Sequence, residues 1–146
     1  ALKVPTFLAA VGSVGALYDE KEDFEQAITW YEKALALAPD HVPTLCNLGA
    51  SHYNRGAYGQ AIDFYRQALA LDPQSQDAHY NLGVAFAEAT IYREAILEWR
   101  TVVAIDSTTA VAQQAAKNAD LLQEVLDTTI YRSGKKSRRL DLGGDE

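Results

Sequence analysis

The sequence predicts an all-α fold built from repeated pairs of helices. A set of small, apolar and aromatic residues recurs every 34 residues through three successive copies of the 146-residue chain. Within each copy, two stretches have the spacing of amphipathic helices, and a short polar or glycine-containing segment separates them. Because a period of this length is typical of arrays in which each unit packs against its neighbours, we expect the pairs to stack.

The recurring positions hold a glycine, an alanine, an aromatic residue and a closing proline. They are Gly15, Ala27, Tyr31 and Pro39 in the first copy, Gly49, Ala61, Tyr65 and Pro73 in the second, and Gly83, Ala95 and Trp99 in the third. The third copy has Ser107 where the proline is expected. The glycine and the alanine predict a close approach of the two helices of one unit, and the aromatic side chain is predicted to fill the space between units.

These spacings resemble the tetratricopeptide repeat, whose pattern has Leu-Gly on a first helix and Ala followed by an aromatic residue on a second. The resemblance implies a right-handed α-solenoid of three antiparallel helix pairs. Residues 1–40, 41–74 and 75–108 would be the three repeats. Such chains hold partner proteins and seldom catalyse reactions, so the resemblance also implies a protein-interaction scaffold that is not an enzyme.

Each helix is also predicted from its own residues. The pairs are expected over residues 5–18 and 24–37, 43–55 and 58–71, and 76–89 and 92–105. Pro43 suits a first helical turn, where its missing N–H would have had no partner. Gly56 suits the turn inside the second pair, because glycine adopts the left-handed conformation at little cost. Ser75 or Gln76 is expected to begin the fifth helix, and Ser107 to cap the seventh.

Two segments lie beyond the repeats. Residues 109–129 keep one apolar and one polar face, which predicts a helix that caps the array. Residues 130–146 contain clustered basic residues, three glycines and few apolar residues, which predicts a mobile basic tail.

The first predicted helix is uncharged between Lys3 and Asp19. It is too short to span a bilayer, and its outward face has nothing to cover it. The alternative to a peptide receptor is therefore a self-associating structural or assembly-factor module that uses this helix. Because the chain begins without Met, an upstream targeting segment remains an alternative. The repeats would then be the interaction domain of a longer protein.

The charge distribution argues against several partners. The chain has a formal net charge of −7, and residues 1–128 hold 17 acidic and 8 basic residues, a net charge of −9. An acidic body disfavours nucleic acid and anionic membranes. The basic tail leaves open a contact with either of them, with an acidic protein, or with the acidic body itself. The single cysteine, Cys46, cannot form an internal disulfide, so a cytoplasmic location is the simplest expectation.

By resemblance, the first helix of each pair lines a concave groove that takes a peptide or helix of a partner protein. Asn47 and Asn81 each precede the Leu-Gly of their repeat and should project the same way. An amide both donates and accepts, so the two could bind a peptide backbone whatever its sequence. The alternative is that they are ordinary surface residues or bond to a neighbouring helix. The other groove candidates are Tyr53 and Tyr80 for apolar contact, and Asn54, Asp77 and Glu88, which would favour a basic peptide.

Other kinds of site are not predicted. One tetratricopeptide subclass grips the C-terminal carboxylate of chaperone tails with Lys, Asn, Asn, Lys and Arg. The matching positions here are Gly12, Ala16, Asn47, Asp77 and Asn81, so one of the five agrees. His41, His52 and His79 show no metal-binding spacing with Cys46, and no nucleophile has an identifiable base. We therefore predict no metal, cofactor or catalytic residue.

Overall fold

The computed structural model describes the backbone of residues 4–141 and the side chains of residues 5–135. This part of the chain contains seven α-helices. They are α1 (Val4–Glu20), α2 (Phe24–Leu37), α3 (Val42–Asn54), α4 (Tyr58–Leu71), α5 (Gln76–Glu88), α6 (Tyr92–Ile105) and α7 (Ala110–Asp141). The predicted all-α solenoid is confirmed, and the six repeat helices begin and end within one turn of the expected residues.

Each helix packs against the next one along the chain. The helices α1 and α2, α3 and α4, and α5 and α6 form three hairpins, and α7 lies against α6. The core runs between them and contains the repeated alanines Ala27, Ala61 and Ala95, all of which are fully buried. The array therefore has no single central core, and each unit depends on its neighbours.

The repeated glycine of each unit lies directly against the aromatic ring of the same unit. A Cβ atom built on Gly15 would stand 2.7 Å from the ring of Tyr31, and one built on Gly49 would stand 2.7 Å from the ring of Tyr65. On Gly83 it would stand 2.5 Å from Trp99. Each ring therefore packs against the first helix of its own unit, whereas the repeat pattern predicts a position between units.

The three hairpin turns share one backbone conformation. Glu22, Gly56 and Thr90, which lie 34 residues apart, all have positive φ angles, of 58°, 81° and 63°. In the third turn, the N–H of Ile91 donates to the carbonyl of Phe86 at 2.8 Å, and the other two turns have the equivalent bond. The positive φ angle is the conformation for which Gly56 was predicted at this turn. Thr90 adopts the same angle with a β-branched side chain, which is strained.

Asp19 joins the first unit to the second. Its carboxylate accepts hydrogen bonds from the Tyr31 hydroxyl at 2.9 Å and from the fully buried Ser51 hydroxyl at 2.8 Å. Burial, followed by the bond to Asp19, raises the pKa of Tyr31 above its ordinary value. One carboxylate thus ties α1, α2 and α3 together.

The last helix differs from the prediction at both ends. Thr109, and not Ser107, caps it, because the Thr109 hydroxyl accepts from the N–H of Ala112 at 3.2 Å. The predicted end at residue 129 is wrong, since α7 continues to Asp141. The segment that was expected to be a mobile tail is helical up to that residue, and residues 142–146 lie outside the described part. The extension has no proline and is rich in Arg and Lys, which are good helix formers.

His52 is buried where the other repeats have Tyr18 and Phe86. Its ring stacks on Phe64 with a centroid distance of 5.3 Å, and its Nδ1 atom is buried without a hydrogen-bond partner. Burial, followed by the nearby charge of Arg55, lowers the pKa of His52, while Glu32 and Glu25 oppose the shift. The neutral ring is therefore the form that fits this position.

The glycine contact can be tested by comparing two alanine substitutions in the second unit. Gly49→Ala should lower the free energy of unfolding by about 1 to 3 kcal/mol, because the new methyl group collides with Tyr65. Gly59→Ala is the control, since a Cβ atom there meets nothing within 4 Å; it should be neutral or stabilising by up to about 1 kcal/mol. Urea unfolding measures both, and equal stabilities would contradict the packing.

The buried histidine predicts a pH effect. The pKa of His52 is lower in the folded protein than in the unfolded chain, so the unfolded chain binds a proton more readily. The stability that the neutral ring contributes is therefore present above about pH 6.5 and is lost as the pH falls below it. His52→Phe keeps an aromatic ring at this position and removes the titrating imidazole. The variant should lose less stability than the wild type between pH 7.5 and 5.5 in urea unfolding. The remaining titrating groups are common to both proteins, so equal losses would exclude His52 as a source.

Candidate functional site

The helices α3, α5 and α7 lie side by side, because α3 contacts α5 and α5 contacts α7. We call their shared surface the inner face. The predicted groove residues belong to two of these helices, with Asn47, Tyr53 and Asn54 on α3, and Asp77, Tyr80, Asn81 and Glu88 on α5. The structure places Tyr53 close to Tyr80 and Glu88, and the common orientation of the other residues stays a prediction.

The two asparagines occupy matching places on this face with different exposure. Asn47 is exposed on α3, whereas Asn81 is partly buried on α5. At the position one repeat further, α7 has Ala115, which is fully buried. The asparagine at this repeat position therefore occurs on α3 and α5, and the series ends where the capping helix begins.

An aromatic cluster occupies the middle of the inner face. The rings of Tyr53 and Tyr58 lie 5.5 Å apart at an interplanar angle of 50°. Burial raises the pKa of the Tyr53 hydroxyl, and Glu88, Tyr58 and Tyr80 add to the shift. Tyr53, Tyr80 and Glu88 were predicted to line the groove. Tyr58 was missed because it belongs to the first turn of a second helix.

The capping helix also contributes to the inner face. Asn118 donates a hydrogen bond to the Tyr80 hydroxyl at 3.3 Å, and Gln114 donates one to the Asn118 side chain at 2.9 Å. Stepping forward 34 residues from Tyr80 and Val84 leads to Gln114 and Asn118. The repeat period thus contained the signal for both, but α7 was interpreted as a cap alone.

A small apolar pocket lies where α5, α6 and α7 meet. Its volume is about 240 Å³, and it is lined by Ala87, Trp99, Asn118, Leu121, Leu122 and Val125. Leu121 and Val125 are 65% and 49% exposed. Apolar side chains that stay exposed beside a concavity are typical of a surface that binds another molecule.

Two acidic residues lie on α5. Asp77 and Glu88 are exposed at opposite ends of α5.

Burial, followed by Asp77 and Asp72, raises the pKa of the Cys46 thiol. The thiol is therefore harder to ionise than a free cysteine, which is the opposite of what a nucleophilic thiolate requires.

The histidines have structural contacts. His41 Nδ1 lies 2.8 Å from the Thr44 hydroxyl. His79 places Nδ1 2.6 Å from the Glu98 carboxylate and Nε2 2.8 Å from the Pro73 carbonyl, so it joins the second unit to the third. Among the side chains of residues 5–135, no three His, Cys, Asp or Glu groups lie close enough to hold a metal ion. Within residues 4–141, no helix is long and apolar enough to cross a membrane.

Stacked helix hairpins and a continuous inner face define a helical-repeat protein. Two sequence models of the tetratricopeptide repeat match the chain, one over residues 6–74 and the other over residues 46–107. The chain belongs to the tetratricopeptide repeat family. No curated protein sequence matches it.

Solved structures of tetratricopeptide domains have the same fold. The Sgt2 domain from Aspergillus fumigatus aligns with a TM-score of 0.77 at 18% identity, over 85% of this chain and 82% of that one. The second domain of human RPAP3, solved with an HSP70 peptide, aligns with a TM-score of 0.74 at 17% identity, over 83% of this chain and 98% of that one. The Yersinia enterocolitica secretion chaperone SycD, solved with a peptide of the translocator YopD, aligns with a TM-score of 0.76 at 13% identity, over 80% of this chain and 92% of that one.

Proposed function

We propose that the chain is a protein-interaction scaffold that binds a peptide or helical segment of a partner protein on its inner face. The observation that carries this proposal is the continuous surface formed by Tyr53, Tyr80, Asn118 and the apolar pocket, which combines hydrogen-bonding groups with exposed apolar area. Two of the similar domains were solved with peptides. Neither similarity exceeds 17% identity, so the peptide sequence has to be argued from the inner face itself.

The chemistry of the inner face favours a particular kind of segment. The pocket beside Leu121 and Val125 suits one large apolar side chain. Glu88 follows Ala87, a residue of that pocket, directly in the sequence, and its carboxylate suits a basic residue next to the apolar one. The amides of Asn47 and Asn81 would each donate hydrogen bonds to the peptide backbone and accept hydrogen bonds from it. The proposed ligand is therefore a segment with adjacent apolar and basic residues.

The backbone contacts are tested with peptides selected from a random library on the wild-type protein. Asn47→Ala combined with Asn81→Ala should weaken binding by about 0.5 to 1.5 kcal/mol for each lost hydrogen bond, as measured by titration calorimetry. The control is Gln26→Ala with Gln67→Ala, which removes two exposed amides from the second helices. Wild-type affinity in the double asparagine variant, with unchanged helicity, would refute the role of the amides.

A second candidate function is self-association through α1. Leu17 is 56% exposed and Phe7 is 45% exposed on this helix. Exposed apolar side chains on the first helix of a repeat array favour a covering partner, since terminal units otherwise have polar outer faces.

This candidate predicts that Leu17→Lys abolishes concentration-dependent association in sedimentation equilibrium, because a charge cannot be buried in an apolar contact. Leu37→Lys is the control, since Leu37 is 40% exposed at the end of α2. Association that survives Leu17→Lys, or a wild type that never associates, would remove this candidate.

A further inference from the structure

The capping helix is much longer than capping requires. It has 32 residues against 13 to 17 in the other helices, and so extends about 48 Å at 1.5 Å per residue. Leu122 and Leu126 pack against the core, and Ile130 shares a groove with Arg93 in the first turn of α6. From Tyr131 to Lys135 every side chain is exposed. Residues 131–135, which are all exposed and include Gly134, gain little stability from packing within the chain, so a contact with another molecule would stabilise this part of the helix.

Four exposed residues of α7 form one face at this point. Glu124, Thr128, Tyr131 and Lys135 follow one another at spacings of four, three and four, which places them on one side of a helix. Two contacts agree with this arrangement, because the Thr128 hydroxyl donates to the Glu124 carbonyl at 2.8 Å and the Lys135 amine lies 6.0 Å from the centre of the Tyr131 ring. We call these four residues the distal face.

The distal face is complementary to itself. When two copies of α7 run antiparallel, a register that places Glu124 opposite Lys135 also places Thr128 opposite Tyr131. The two-fold symmetry then repeats both pairs, so that each acid meets a base and each aromatic ring meets a small side chain. This is the condition for an interface in which both copies use the same surface. In the same register, the sequence has Arg139 at the position opposite Asp120.

We propose that α7 pairs antiparallel with α7 of a second copy of this chain through the distal face. The order of charges selects this occupant over an anionic membrane or a nucleic acid. Asp120, Glu124 and Asp127 are all exposed on α7 beside the basic residues, and phosphate-rich surfaces would repel them. A second copy offers a base to the acid and an acid to the base. Because a single helix pair makes a small interface, the dimer is weak and depends on salt.

The test uses opposite charge reversals in the full chain, followed by sedimentation equilibrium at low salt. Glu124→Lys and Lys135→Glu should each weaken dimerisation about tenfold or more, because each reversal places like charges opposite one another twice. An equimolar mixture of the two variants should dimerise again, since every opposed pair then joins an acid to a base. The controls are Glu32→Lys and Lys21→Glu, which reverse exposed charges on other elements and should leave the dimer unchanged.

Three results would overturn the proposal: a wild type that stays monomeric up to millimolar concentration, single reversals that dimerise like the wild type, or a mixture that does not recover. Phosphatidylserine vesicles provide the other arm. Binding of the monomer to these vesicles that Lys135→Glu abolishes, without any dimer, would assign α7 to membranes and reject the pairing. An association through α1 would be insensitive to both reversals and is therefore distinguishable. The outcome is also independent of peptide binding on the inner face.

Discussion

The contact between one glycine and one aromatic ring sets the geometry of every unit. Gly15, Gly49 and Gly83 let the first helix approach until the ring of the second helix lies against its backbone. Because this contact is repeated at the same place in each hairpin, the hairpins have similar shapes and stack regularly. The inner face exists because of this regularity, since it requires α3, α5 and α7 to lie side by side.

The sequence was sufficient for the fold because the repeat period constrains packing in three copies at once. An error in one copy, such as Ser107 in place of proline, did not change the prediction, as Gly83 and Trp99 carried the same information. The helix ends were equally predictable where a cap or turn residue marks them, as at Ser75, whose hydroxyl accepts from the N–H of Ala78, and at Gly56.

The interaction surface was only partly predictable, because the period specifies which residues hold units together and leaves the inner face free to vary. Asn47 and Asn81 could be placed by register alone. The bond between Asn118 and Tyr80 could not, since it needs the angle at which α7 crosses α5. The length of α7 was missed for another reason: composition suggested disorder after Thr129, and the absence of proline and the helix propensity of Arg and Lys were weaker signals for a continuous helix.

The positive φ angle at Thr90 has a consequence for how the array opens. The middle hairpin turns on glycine, whereas the third turns on a β-branched residue, a difference of about 1 to 2 kcal/mol in turn strain. The turn of the third hairpin is then less stable than that of the middle hairpin, and the packing of α7 along α6 keeps the third hairpin closed. Once α7 detaches, local unfolding should therefore start at the capped end and spread towards the first unit, so the packing of α7 keeps the array closed.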